Sequence, residues 1–318
     1  MTIKIILLLA GLFLVIKGAD WLIKGGGALA RRYHIPELVI GITVVAFGTS
    51  LPELVVNVFA SVQGQQELIL GNVIGSNNFN LFVILGISGL IAPLVVQSGT
   101  VWREIPVSLL AAVLLLFLAN GFVVGGGQQI SRIDGLVLLL FFVAFLYYIF
   151  RQIKSDPIAD GSDAPALKNY KIWLFIGLGL AGLLIGGRLA VDNAVIIATR
   201  MGVSQKIIGL TIIAMGTSLP ELVTSVVAVL KKSNDIAVGN IIGSNIFNIL
   251  LITGISTLIR PIPYETGFNF DQYFLIGGTL FLFIAMFTGQ RKKLDRWEAG
   301  VLVAAYLVYL AVLIQQAV

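Results

Sequence analysis

Residues 41–60, which read GITVVAFGTSLPELVVNVFA, recur almost unchanged at residues 209–228, which read GLTIIAMGTSLPELVTSVVA; 13 of 20 positions are identical. A second pair of segments follows them. Residues 71–90 read GNVIGSNNFNLFVILGISGL and residues 239–258 read GNIIGSNIFNILLITGISTL, again with 13 identities. Both pairs are offset by 168 residues. A constant offset over two segments predicts one ancestral unit that is used twice in the chain.

The composition around these segments is typical of a membrane protein. Of the 318 residues, 58% are apolar and 12% are charged, whereas soluble domains hold about 45–50% and about 25%. The mean hydropathy is +0.98. A membrane-spanning helix needs roughly 20 mostly apolar residues. Ten stretches meet this requirement, at residues 3–30, 37–62, 69–92, 104–124, 131–150, 172–198, 206–230, 236–259, 272–289 and 297–315.

The ten predicted spans divide into two halves at a polar linker. Residues 1–150 form the first five-helix repeat, residues 151–171 form the linker, and residues 172–318 form the second repeat. Because five is odd, the second repeat enters the membrane with the opposite orientation, as in many secondary transporters. We therefore predict an all-α polytopic membrane protein of ten transmembrane helices, arranged as two inverted five-helix repeats with discontinuous helices at the midplane.

The distribution of Lys and Arg predicts how the chain sits in the membrane. With ten spans both termini share a side, and the loops on that side hold five Lys and Arg residues against fourteen in the opposite loops. Cytoplasmic loops carry the excess of positive residues. We expect a multi-pass protein of the cell (inner) membrane with both termini outside and a cytoplasmic linker. On this interpretation the net charge of +5 reflects the orientation of the chain in the membrane. Membrane lipid is the expected partner, with no nucleic acid and no obligatory protein partner.

The composition also argues against several kinds of chemistry. The chain has no Cys and one His, so disulfides, thiolate metal sites, His-based zinc sites and Ser-His-Asp triads are not expected. An intramembrane enzyme, the remote alternative, needs a nucleophile with its base or an open metal site. An ion channel usually forms a symmetric oligomer around a filter. The repeated motifs within one chain favour a transporter, and we expect neither an enzyme nor a resident cofactor.

Four polar residues fall near the centres of four predicted spans. Glu53 and Glu221 each lie one helical turn from the midpoint of a span, and Asn80 and Asn248 lie at the midpoints of two others. A charge at the bilayer centre costs roughly 2.5–3.5 kcal/mol on insertion scales. Two glutamates that bear this cost at equivalent positions predict a functional site.

Proline beside each glutamate predicts a break in the helix. Pro52 and Pro220 donate no backbone hydrogen bond, and each ring clashes with the carbonyl four residues earlier, at Gly48 and Gly216. Carbonyl oxygens freed at membrane depth must line a cavity or bind something. Residues four apart share a helix face. The pairs predicted on this basis are Thr49 with Glu53, Thr217 with Glu221, Ser76 with Asn80, and Ser244 with Asn248.

The donor atoms in these spans predict the kind of ion. Carboxylate, hydroxyl, amide and carbonyl oxygens are hard ligands that suit Na⁺ and Ca²⁺. Two ionised carboxylates balance one Ca²⁺ or two Na⁺, so the two ions are expected to compete at overlapping sites. Glu53 and Glu221 are also protonatable. A Ca²⁺/H⁺ or Na⁺/H⁺ antiporter on the same fold therefore remains the alternative.

The motifs resemble those of the sodium/calcium exchanger family, within the cation/calcium exchanger superfamily, and the short linker resembles its prokaryotic members. GTSLPE occurs at 48–53 and 216–221, and GNVIGSNNFN at 71–80 pairs with GNIIGSNIFN at 239–248. The resemblance covers the whole chain. It implies a secondary active antiporter that exchanges Na⁺ for Ca²⁺ by alternating access, in which the first and sixth spans slide against the rest.

The resemblance also implies a set of ion ligands. Glu53 and Glu221 would be the principal Ca²⁺ ligands, shared with Na⁺. The other implied ligands are the hydroxyls of Thr49, Ser50, Thr217 and Ser218, the carbonyls of Ala46 and Ala214 at sodium sites, the hydroxyls of Ser76 and Ser244 at peripheral sodium sites, and the central amides of Asn80 and Asn248.

One position departs from part of the family. Some relatives, notably potassium-dependent exchangers, carry Asp at the position of Asn248, whereas both central positions here are Asn. The site then has one fewer titratable group. We expect K⁺-independent transport, with pH sensitivity resting on Glu53 and Glu221.

Overall fold

The computed structural model describes residues 2–97, 99–121, 128–155, 167–202, 214–288 and 292–317. Within these ranges the backbone is almost entirely helical. The helices are α1 (Thr2–Tyr33), α2 (Glu37–Thr49), α3 (Leu51–Gln63), α4 (Glu67–Ile91), α5 (Thr100–Ala119), α6 (Arg132–Ser155), α7 (Asn169–Arg200), α8 (Ala214–Gly216), α9 (Leu219–Leu230), α10 (Asn234–Ile259), α11 (Phe268–Ala285) and α12 (Arg296–Ala317). The short strands are β1 (Leu94–Val95), β2 (Gln129–Ile130), β3 (Ile262–Pro263) and β4 (Lys293–Leu294).

The helices match the predicted polytopic membrane fold. Within the described residues, eight helices are long and apolar enough to cross a membrane, and α2 with α3 makes a ninth as one broken span. The predicted span at 206–230 falls partly outside the described residues; its described part is α8 and α9. The fold class is confirmed.

The predicted bounds of the fourth and ninth spans were wrong. The ninth span was expected at 272–289, but α11 covers Phe268–Ala285. The fourth span was expected at 104–124, but α5 begins four residues earlier and ends at Ala119. The helix stops at Asn120, whose φ of −87° and ψ of 6° leave the helical range. Gly121 then takes a positive φ of 73°, a conformation that glycine adopts at little cost at a helix end.

Both motif helices are interrupted beside the proline that is repeated in the two halves. Ser50, with φ −81° and ψ 3°, separates α2 from α3. Ser218, with φ −89° and ψ 7°, precedes α9. Each proline therefore stands in the first turn of a new helix, where its missing N–H has no intrahelical acceptor. The predicted discontinuous helices are confirmed. The predicted shared face of Thr49 and Glu53 is wrong, because no continuous helix carries both residues.

The third and eighth predicted spans each contain a π-helical turn at equivalent positions. These turns cover Phe79–Ile84 in α4 and Phe247–Ile252 in α10, and they are offset by the same 168 residues as the motifs. Such turns are rare and occur frequently at functional sites. Asn80 and Asn248 lie inside them.

The chain forms two compact units, and each unit takes segments from both halves of the sequence. The first unit comprises Met1–Pro52 and Tyr148–Asn240, and the second comprises Glu53–Tyr147 and Ile241–Val318. The division of the sequence into two five-helix repeats stays a prediction.

In the first unit, α1 and α7 pack antiparallel with their backbones in close contact at glycines. A Cβ on Gly18 would lie 2.7 Å from the backbone nitrogen of Leu183, and one on Gly186 would lie 2.8 Å from the carbonyl oxygen of Gly11. Gly11 is related to Gly179 by the 168-residue offset, and Gly18 is related to Gly186. Small residues allow such close approach between helices in a membrane.

In the second unit, two antiparallel ribbons join the two halves of the sequence. Strand β1 pairs with β4, and β2 pairs with β3. Strands β1 and β3 are offset by 168 residues, and β2 and β4 by 164. Each ribbon thus pairs one strand from each half. In one ribbon the first strand of the first half pairs with the second strand of the second half, and in the other ribbon the second strand of the first half pairs with the first strand of the second half. An inverted repeat produces this pattern.

Replacing Gly186 by alanine is expected to destabilise the protein by about 1–3 kcal/mol, because overpacking at a tight contact forces the backbone to shift. Gly177→Ala is the matched control. Gly177 lies in the same helix and a Cβ there meets nothing within 4 Å, so the control should be neutral or stabilising by up to about 1 kcal/mol. Thermal unfolding in detergent checks both variants. Equal unfolding midpoints would contradict the proposed backbone contact.

Candidate functional site

The first unit holds a buried carboxylate that faces a serine from the other half of the sequence. Glu221 lies in the first turn of α9 and is 1% exposed. The hydroxyl of Ser50 donates to Glu221 Oε1 at 3.1 Å. Within the described residues, Glu221 Oε2 is buried and accepts no hydrogen bond. A buried carboxylate oxygen without a donor is costly, and a cation would satisfy it.

Asn240 ties this carboxylate segment to the end of α2. Its Nδ2 donates to Ser225 Oγ at 2.9 Å and to the carbonyl of Glu221 at 3.4 Å. Its Oδ1 accepts the hydroxyl of Thr49 at 3.0 Å. We call Thr49, Ser50, Glu221, Ser225 and Asn240 the glutamate cluster. Sequence reasoning missed Asn240, although the second motif carries an identical residue at the equivalent position in both halves.

The second unit holds four asparagines that bond to one another across the two halves. Asn77 and Asn245 each donate from Nδ2 to the other's backbone carbonyl at 3.3 Å. Asn80 Nδ2 donates to Asn245 Oδ1 at 3.1 Å, and Asn248 Nδ2 donates to Asn77 Oδ1 at 3.0 Å. All four side chains are buried. We call them the asparagine quartet.

The quartet determines which way the two central amides point. A carbonyl oxygen has no proton to donate, so Asn77 and Asn245 must turn their Nδ2 atoms to the backbone carbonyls and their Oδ1 atoms to Asn248 and Asn80. Those two residues must then donate with Nδ2. Their own Oδ1 atoms are left buried and accept no hydrogen bond within the described residues. The quartet thus presents two bare amide oxygens.

Sequence reasoning predicted Asn80 and Asn248 but missed their anchors. The signal was present, because Asn77 and Asn245 follow Gly-Ser in both copies of the motif. The serines of that motif, Ser76 and Ser244, are also buried in the second unit. Each Oγ has no hydrogen-bond partner in the described part of the chain.

Glu53 and the remaining predicted ligands are placed as follows. Glu53 lies in the first turn of α3 in the second unit and is 1% exposed. Thr217 and Ser218 lie in the first unit between α8 and α9. The carbonyl of Ala46 accepts the N–H of Ser50 at 3.0 Å and the hydroxyl of Thr49 at 3.3 Å. Ala214 begins α8.

The structure therefore joins some predicted residues directly. Thr49 and Ser50 lie with Glu221 in the glutamate cluster, and Asn80 lies with Asn248 in the asparagine quartet. The oxygens named above are carboxylate, hydroxyl, amide and carbonyl oxygens. Such donors suit Na⁺ and Ca²⁺ better than softer metals.

Comparisons with known proteins agree with this chemistry. A family model described as sodium/calcium exchanger protein matches residues 3–151 and 171–315. The putative antiporter CaxA of Alkalimonas amylolytica is 37% identical over 319 residues, covering 97% of this chain and 98% of that protein. The sodium/calcium exchanger MaX1 of Methanosarcina acetivorans is 31% identical over 348 residues, covering 98% and 99%. The solved structure of the sodium-calcium exchanger NCX_Mj, soaked with 10 mM Na⁺ and zero Ca²⁺, superposes with a TM-score of 0.84 at 32% identity, covering 98% of this chain and 99% of that one.

Proposed function

Since the chain belongs to the sodium/calcium exchanger family, we propose that it exchanges Na⁺ for Ca²⁺ across the membrane by alternating access, independently of K⁺. Membership of that family makes the chain a membrane-spanning transporter rather than an enzyme. Na⁺ and Ca²⁺ are then its transported substrates and not resident cofactors.

One observation carries the proposal. Several buried oxygens without a hydrogen-bond partner among the described residues belong to residues repeated in both halves of the chain, and three of them are the free ends of groups anchored at the other end: Glu221 Oε2, Asn80 Oδ1 and Asn248 Oδ1. In each case a neighbouring polar side chain satisfies the other end of the carboxyl or amide group. Buried acceptors are ordinarily paired. Bare oxygens with fixed orientation are what a transported cation requires.

The charge supports two competing substrates. Glu53 and Glu221 together supply −2 when both are ionised, which balances one Ca²⁺ or two Na⁺. We propose them as the principal Ca²⁺ ligands, shared with Na⁺. The further proposed ligands are Thr49, Ser50, Thr217, Ser218, Ser76, Ser244, Asn80 and Asn248, with the backbone carbonyls of Ala46 and Ala214 for Na⁺. The Ala46 carbonyl already accepts the N–H of Ser50 and shares the hydroxyl of Thr49 with Asn240 Oδ1, so an ion there would bind its remaining lone pair.

We also propose the arrangement of the chain in the membrane. The excess of Lys and Arg in alternate loops supports a cell (inner) membrane protein with both termini outside and a cytoplasmic linker. Two inverted repeats of five helices, at residues 1–150 and 172–318, account for the strand pairing in the two β ribbons. Lipid is the proposed partner of the exposed apolar helix faces.

The proposed coupling is tested by Ca²⁺ uptake into proteoliposomes. Vesicles loaded with Na⁺ and diluted into Na⁺-free buffer should take up radioactive Ca²⁺, and vesicles without a Na⁺ gradient should not. Adding K⁺ should leave the rate unchanged, because Asn248 supplies no additional carboxylate. Uptake that follows an outward H⁺ gradient and ignores Na⁺ would favour the Ca²⁺/H⁺ alternative. A requirement for K⁺ would overturn K⁺-independence alone.

A further inference from the structure

The inner face of α3 carries a line of polar side chains beyond Glu53. Asn57 and Ser61 follow Glu53 at intervals of four residues, and Gln66 stands just after the helix. The three are 0%, 1% and 7% exposed, respectively. Residues four apart share a helix face, and the line from Glu53 to Ser61 runs about 12 Å along the axis. We call Asn57, Ser61 and Gln66 the α3 column.

Each side chain of the α3 column donates a hydrogen bond to a backbone carbonyl, and two of its side-chain oxygens accept none within the described residues. Asn57 Nδ2 donates to the carbonyl of Glu53 at 2.6 Å, Ser61 Oγ to that of Asn57 at 2.8 Å, and Gln66 Nε2 to that of Ser61 at 3.3 Å. Asn57 Oδ1 and Gln66 Oε1 are buried and accept no hydrogen bond within the described residues. Both leftover atoms are acceptors, which bind cations.

The opposite face of the same helix is apolar and exposed. Val55, Val56, Phe59 and Val62 are between 45% and 65% exposed, as expected for side chains that contact lipid. Polar residues at membrane depth turn toward the protein interior and mark ion pathways. The polarity of α3 is therefore confined to its inner face.

In the second half of the chain the equivalent line is interrupted by an apolar residue. The positions equivalent to Asn57, Ser61 and Gln66 are Ser225, Val229 and Asn234. Val229 is apolar and 3% exposed. The fold therefore accommodates an apolar residue at this point of the equivalent helix, so packing does not require the polar side chain of Ser61.

We propose that the α3 column is an additional cation-binding path that leads from Glu53 toward the end of α3 at Gln66. This inference rests on the proposed function. Its ligands are neutral amide and hydroxyl oxygens, which hold Na⁺ or Ca²⁺ loosely. Binding along a path must be strong enough for entry and weak enough for release. Asn57 provides the first oxygen beyond Glu53.

The test measures Na⁺-driven Ca²⁺ uptake in proteoliposomes at varied Ca²⁺ concentration. Asn57→Leu keeps the side-chain size and removes the oxygen. The half-saturating Ca²⁺ concentration should rise about tenfold, the effect of losing one polar contact to a charged group. Asn57→Asp loses the donor to the Glu53 carbonyl but keeps an oxygen at that position, so its half-saturating Ca²⁺ concentration should stay below that of Asn57→Leu.

Asn193→Leu is the matched control. Asn193 Nδ2 donates to the carbonyl of Leu189 at 2.7 Å, and its Oδ1 is likewise buried without a hydrogen bond in the described residues. Its neighbours at four-residue spacing, Leu189 and Ile197, are apolar, so it belongs to no column. If Asn57 had only a structural role, both leucine variants would unfold at a lower temperature and the half-saturating Ca²⁺ concentration would stay unchanged in both.

The outcomes separate this inference from the proposed function. Wild-type half-saturation in Asn57→Leu overturns the α3 column as a path while Na⁺/Ca²⁺ exchange stands. Absence of uptake by the wild-type protein overturns the exchange itself. If Asn57→Leu fails to fold, Gln66→Leu at the loop end of the column decides in the same way, with a rise in half-saturating Ca²⁺ supporting the path.

Discussion

Glu221→Gln is expected to abolish Na⁺-driven Ca²⁺ uptake. The substitution keeps the size of the side chain and one oxygen, and the hydroxyl of Ser50 retains an acceptor. It removes one of the two negative charges that we propose to balance Ca²⁺, and the remaining charge is too small to do so. Removing one partner of a buried charge interaction costs about 3–5 kcal/mol. Initial uptake should fall by about 100-fold or more.

The same loss is expected for Glu53→Gln, because the two glutamates occupy equivalent positions in the repeated motif. Glu67→Gln is the matched control, since Glu67 is exposed in the first turn of α4. It should transport at the wild-type rate. Uptake by Glu221→Gln at the wild-type rate would show that its carboxylate does not bind the transported ion.

Asn245→Leu is expected to raise the half-saturating Ca²⁺ concentration by about tenfold or more. Leucine has a similar size but offers Asn80 no acceptor, and it no longer donates to the carbonyl of Asn77. The Asn80 amide then loses the hydrogen bond that fixes the direction of its unpaired Oδ1. Unpaired buried groups should also lower stability by about 1–3 kcal/mol.

Asn78→Ile is the matched control for the asparagine quartet. Asn78 is buried and directly follows Asn77 in α4, but its Nδ2 donates to the carbonyl of Asp271. The equivalent residue in the second half is Ile246, so the fold accepts an apolar side chain there. Its half-saturation should stay near the wild-type value. Concentration-dependent uptake checks both variants, and equal values for Asn245→Leu and the wild type would refute the positioning role.

The membrane fold could be predicted from the sequence because the patterns that indicate it are local. Apolar runs of sufficient length predict spans, and Pro52 and Pro220 predict the breaks beside them. The shared face of Thr49 and Glu53 failed because helical periodicity assumes a continuous helix, and Ser50 interrupts this one. The end of α5 was misplaced because the apolar run continues past Asn120, whereas the backbone leaves the helical range at Asn120 and takes a positive φ at Gly121.

The candidate site was only partly readable because its organising contacts are distant in sequence. Ser50 and Glu221 are 171 residues apart, and Asn80 and Asn245 are 165 apart. No local pattern indicates that Asn245 orients Asn80 or that Asn240 holds Thr49. Identity between the two halves did mark these residues. It shows which side chains were retained in both copies, whereas the hydrogen bonds show what each one does.

If one set of buried oxygens binds both Ca²⁺ and Na⁺, then Na⁺ must displace Ca²⁺ from the protein. The decisive measurement is equilibrium binding of radioactive Ca²⁺ to the purified protein, titrated with Na⁺. The wild-type protein should bind Ca²⁺, the apparent dissociation constant should rise steadily with Na⁺, and saturating Na⁺ should displace all the Ca²⁺. Glu221→Gln should bind none. Ca²⁺ that stays bound at saturating Na⁺ would contradict a shared site.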